Sequence, residues 1–86
     1  MTLRQSSAAL LRIAATQGAV VTCDGRYSGA PWRCRGYEVP GAEGKHLADA
    51  GYLAPLRMRE GGLVRDDEGV HYTLTVSGRL AIGDRY

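Results

Sequence analysis

CDGRYSGAPWRC, residues 23–34, holds both cysteines of the chain, its single tryptophan and two of its arginines. What this stretch folds into decides the architecture. Residues 19–22 before it are β-prone, and RCRGYEV (33–39) at its end alternates in polarity, so the segment predicts a β-hairpin over about 19–38 turned at Ser28-Gly29. That turn sets Cys23 opposite Cys34, Asp24 opposite Arg33 and Thr22 opposite Arg35. Opposed cysteines come within reach of a disulfide, but a reducing cytoplasm favours two free thiols side by side. Zinc fits poorly, because Cys23, Cys34, His46 and His71 are spaced 11, 12 and 25 residues apart, whereas structural zinc sites pair ligands two to four apart.

On the N-terminal side, Leu3, Ser7, Leu10, Leu11 and Ala14 form a stripe at helical spacing that predicts a helix over about 3–17. Thr2 and Gln5 suggest a capping box at its start, and Gly18 supplies the stop. On the C-terminal side, Gly36, Pro40, Gly41 and Gly44 break the chain before a short helix at about 43–50, with Leu47, Ala48 and Ala50 toward the core and Gly51 as its cap. Gly44 weakens that helix by about 1 kcal/mol relative to Ala, and no good N-cap residue precedes it. From Tyr52 the period changes to two, predicting a β-hairpin over about 52–75 with turn formers at Gly61-Gly62 and a polar tip at DDEG (66–69). Pro55 confines its strand to a sheet edge; a competing parse starts a helical turn at Pro55 and ends it at Gly61. Thr75 caps a last short helix, VSGRLAI. The whole reads as one α+β domain.

Eighty-six residues suffice for one core, and 44% hydrophobic with 23% charged residues exclude disorder. No apolar run approaches the roughly 20 residues that span a bilayer. The opening resembles a signal peptide only superficially, since Arg12 interrupts its apolar run, so the expected location is cytoplasmic. Arginine outnumbers lysine ten to one, and residues 1–37 carry a net +4 against −2 for 38–86, which suggests a basic face.

Two short segments, LADAGYL (47–53) and YTLTVSGR (72–79), resemble the winged helix-turn-helix domains of bacterial and phage transcription regulators. In such domains the first segment is the end of the recognition helix entering the wing, and the second is the last wing strand turning into the next helix. The resemblance covers about half the chain, 43–82. It implies a winged-helix-like fold that binds double-stranded DNA as a homodimer, with Lys45 and His46 on the short helix and Arg57, Arg59 and Arg65 on the wing as contact positions. The chain departs from the pattern by placing a hairpin where the second helix belongs.

The residues themselves add Arg26, Trp32, Arg33 and Arg35, a basic-aromatic cluster suited to phosphate contact and stacking. Against DNA stand Asp66, Asp67 and Glu68, which would repel a phosphate backbone. They suit a different reading: a phage or mobile-element accessory protein that binds a host protein and inhibits a nucleic-acid-processing machine. Catalysis has no support, because neither G-x-S-x-G, nor a phosphate-cradling loop, nor HExxH occurs. No cofactor is expected.

Overall fold

The computed structural model describes residues 3–18, 20–24 and 29–83. It is a mixed α+β domain: α1 (Gln5–Gln17), β1 (Val21–Cys23), β2 (Trp32–Cys34), β3 (Tyr37–Val39), α2 (Gly41–Asp49), β4 (Leu53–Pro55), β5 (Arg65–Asp66), β6 (Gly69–Leu74) and α3 (Val76–Ala81). The strands form one antiparallel sheet in the order β3-β2-β1-β6-β4, and β5 also pairs with β6. Among the described residues no helix is long and apolar enough to cross a membrane.

Helix α1 forms where its stripe predicts, with Ser7, Leu10, Leu11 and Ala14 buried and Gly18 closing it in the left-handed conformation. It starts at Gln5 rather than Leu3. Its N-cap is Arg4, whose side chain makes no capping bond, and Thr2 lies outside the described residues. α1 lies across β2, β3 and β6 and also touches α2 and α3.

The predicted single hairpin at about 19–38 is instead three strands. Arg35 (φ 52°) and Gly36 (φ 84°) both take positive φ and make a two-residue turn between β2 and β3, the geometry that matches strand twist in a tight hairpin. The register also differs. Cys23 stands opposite Trp32 and Thr22 opposite Arg33, so Cys34 falls two residues beyond Cys23's partner, and the cysteines are free rather than facing each other. Of the turn predicted at Ser28-Gly29, Ser28 lies outside the described residues.

The register follows from what the inner face must hold. Val21, Trp32, Cys34, Val39 and Leu53 are buried on it with Leu10, Leu11 and Leu47, and Tyr72 and Leu74 pack against them. Trp32 stacks obliquely on Tyr72 of β6, ring centroids 4.6 Å apart and planes at 45°. The Trp32 indole also lies against the backbone of Gly44, where a Cβ would overlap the ring. Gly44 is therefore the notch that lets α2 settle on the sheet, and Gly41, one turn earlier, approaches the backbone of Gly29 and Ala30 in the same way.

α2 begins two residues before its predicted start, from Pro40, whose carbonyl accepts the Glu43 and Gly44 N–H groups at 3.0 Å. It ends in a Schellman turn: Gly51 N–H donates to Ala48 O and Tyr52 N–H to Leu47 O, each at 3.0 Å. The chain then enters β4, an edge strand that accommodates Pro55, so the helical parse from Pro55 does not form. The predicted hairpin at 52–75 is more elaborate than a single loop. β4 and β5 occupy successive stretches of the same edge of β6, and the chain between them leaves the sheet in a small excursion closed by an Arg57–Leu63 bridge. Thr75 caps α3 as predicted, accepting the Gly78 N–H at 3.0 Å, and its hydroxyl donates to Gly51 O at 2.6 Å, tying α3 to the exit of α2.

A test separates the notch from ordinary helix propensity. Propensity alone would make Gly44→Ala stabilising by about 1 kcal/mol, whereas overlap with the indole should make it destabilising by about 1–3 kcal/mol. Urea denaturation of the variant is expected to give a lower midpoint with an unchanged slope.

Candidate nucleic-acid interface

Trp32 cannot contribute to an interface, because it is 5% exposed and its ring faces are taken by Tyr72 and Gly44. The sequence placed it in a surface cluster; the structure corrects it to the core. Arg26 lies outside the described residues. Arg33 and Arg35 are on the outer face of the sheet and at the β2–β3 turn. Arg33 is opposite Glu38 and pairs with it, Nε to carboxylate, at 3.0 Å. With Arg35, it borders a shallow groove whose other wall is Asp66, Glu68 and His71. That groove is of mixed sign and is not a phosphate track.

The remaining predicted cations lie elsewhere. Lys45 and His46 are exposed on α2. Arg57 and Arg59 are exposed on the excursion between β4 and β5, and Arg65 is exposed on β5. The excursion turns tightly: Met58 N–H donates to Gly62 O at 2.7 Å, Gly61 N–H to Met58 O at 2.9 Å, and the Arg57 guanidinium to Gly61 O at 3.0 Å. The acidic residues form a different tip, the β5–β6 turn. There Asp66 accepts the Glu68 N–H at 2.8 Å and pairs with His71 Nε2 at 2.8 Å, and these contacts hold its carboxyl below the usual range. The single hairpin predicted over about 52–75 thus has two turns, one carrying Arg57 and Arg59 and the other Asp66, Asp67 and Glu68.

Glu43 has a role that sequence reasoning missed. The first turn of α1 has no acidic residue and no side-chain cap. Glu43, projecting from α2, takes that place: the hydroxyls of Ser6 and Ser7 both donate to its Oε1, and the Ser7 backbone N–H reaches its carboxylate. Burial alone would raise its pKa, but these bonds and the nearby Arg4 outweigh it and hold the carboxyl below its ordinary value. A carboxylate at a helix N-terminus also meets the positive end of the helix dipole. α2 therefore caps α1 from outside, and the cap fixes one helix against the other. The sequence offered a Thr2–Gln5 capping box at this end instead; with the helix starting at Gln5 and Arg4 at its N-cap, no local side chain of the described residues caps it, and the remote Glu43 does.

Both thiols are free, Cys23 half-buried and Cys34 buried. Burial pushes both above their ordinary pKa, assisted at Cys23 by the adjacent Asp24, so they stay protonated at neutral pH. No group of three or more His, Cys, Asp or Glu among the described residues could hold a metal. The chain matches no protein-family profile, no curated protein and no solved structure.

The Glu43 cap makes a pH-dependent expectation. Because its folded-state pKa is lowered, the stability it adds is present above the ordinary carboxylate value and is lost as pH falls through the folded value. At pH 7, Glu43→Ala should cost about 0.5–2 kcal/mol, the range for a lost helix cap. The difference from the parent chain should narrow steadily as the pH is taken below about 4.3, measured by urea unfolding across a pH series.

Proposed function

We propose that the chain is a winged-helix-like protein that binds double-stranded DNA, acting as a bacterial or phage transcription regulator, with α2 presented to the duplex and the excursion after β4 as a second contact. The observation that carries this reading is the separation of charge along one sheet edge. Arg57 and Arg59 occupy an excursion of their own, and the acids that would repel phosphate sit on the next turn, with Asp66 engaged by His71. The element order supports it too. α2 hands the chain through a Schellman turn into β4, β4 and β6 pair antiparallel, and Thr75 starts α3, as the resemblance in 47–53 and 72–79 implies. In this reading Lys45 and His46 approach the groove from α2, while Arg57, Arg59 and Arg65 anchor phosphates. Arg33 and Arg35 stand apart from that set. Two copies would suit a two-fold symmetric site.

A second reading draws on Asp67 and Glu68, which are exposed on the β5–β6 turn and suit a basic host-protein surface. Replacing Asp66, Asp67 and Glu68 by Asn or Gln distinguishes the two, abolishing partner capture in the second reading and tightening DNA binding in the first.

Fluorescence anisotropy with random and genomic duplexes should show binding whose affinity falls steeply with salt, and absence of binding at about 50 mM salt would overturn the proposal. Replacing both Arg57 and Arg59 by Ala is expected to weaken binding on all sequences alike and to lower the log–log salt slope by about 2, one for each phosphate contact removed.

A further inference from the structure

Three large apolar side chains are exposed among the described residues, and two of them, Val76 and Leu80, lie on α3. The third, Met58, is 49% exposed and lies outside any helix, on the excursion between β4 and β5, directly between the exposed Arg57 and Arg59. Nothing in the fold requires an apolar group there, since the turn is held by backbone bonds between Met58 and Gly61–Gly62 and by the Arg57 guanidinium on Gly61 O. The Met58 methyl lies over Gly62, 3.0 Å from where a Cβ there would be. The side chain is flexible, unbranched and half exposed, on a backbone that is tightly turned.

We infer that Met58 is a wedge: Arg57 and Arg59 seat the excursion on the narrow groove of a DNA duplex, and Met58 enters between two base pairs and bends the helix. The inference rests on the DNA-binding reading above and adds to it a specific act, deformation of the duplex. Its physical logic is that of proteins that insert a Met, Leu or Phe at a base step. Unstacking a base step is unfavourable, arginines in the narrow groove offset it, and the bent duplex meets more protein surface. Pyrimidine–purine steps unstack most easily, so the wedge selects for them without hydrogen-bonding to any base.

The experiment uses a duplex of about 30 base pairs with a central TA step, carrying a fluorescence donor and acceptor at its ends, and a matched duplex with a central AA step. Binding is read by anisotropy and bending by energy transfer. The wild-type chain should raise energy transfer on binding, more so with TA. Met58→Ala should cut that rise at least by about half while affinity falls by no more than about tenfold, because the phosphate contacts persist. Met58→Leu should restore the bend. Because Met58 is outside the core, all variants should keep the wild-type circular dichroism spectrum. Binding by the wild-type chain with unchanged energy transfer, or full bending by Met58→Ala, overturns the wedge and leaves the DNA reading standing. No binding by the wild-type chain overturns both.

Discussion

The Trp32 indole, set between Tyr72 and the bare backbone of Gly44, is the contact on which the rest of the structure depends. It joins β2, β6 and α2, three elements distant in sequence. Truncating a buried tryptophan typically costs about 3–5 kcal/mol, a large share of the stability a domain of this size commands. The contact requires that α2 carry no side chain at position 44. A glycine inside a nine-residue helix is locally unfavourable, and the indole surface it lets the helix cover offsets that. Gly41 extends the same bare stripe toward the Gly29–Ala30 backbone, and Leu47, fully buried, completes it.

A helix with so little propensity of its own is held at three places. Its middle rests on Trp32, its Glu43 caps α1, and its last carbonyls are closed by Gly51 and Tyr52. Thr75 adds a link from that exit to α3. Lys45 and His46 are therefore carried on a surface whose placement is set by tertiary contacts rather than by the helix itself. The strands that follow are tied to α2 through β4, and their charges fall into a basic excursion and an acidic turn. One constraint in the core thus bears on where α2 carries Lys45 and His46.

The sequence was legible where a single period or a single cap decides. The α1 stripe, the Gly18 stop, the Pro55 edge strand and the Thr75 cap are all local signals, and the structure has all four. It was misread where the deciding partner is remote. Arg35-Gly36 lacks the Asn-Gly or Asp-Gly signature of a tight hairpin, so the sequence carries no signal for the β2–β3 turn. The cross-strand register was off by two because pairing was referred to a turn at Ser28-Gly29, while the buried face is organised by Trp32 over α2. Trp32 beside arginines looked like a stacking surface, and only the fold shows Gly44 and Tyr72 covering it. Gly44 reads locally as a weakness of the short helix, yet it is the helix's seat, and Glu43, which carries no local signal of its role, is the clasp to α1.

Because Trp32 is the single tryptophan, its emission reports on the seat directly. The account expects native protein to show blue-shifted fluorescence that acrylamide quenches weakly, with a red shift on urea unfolding that coincides with loss of helical circular dichroism. Folded protein whose tryptophan emits and is quenched as free tryptophan in water would contradict the seating of α2 on which the whole arrangement rests.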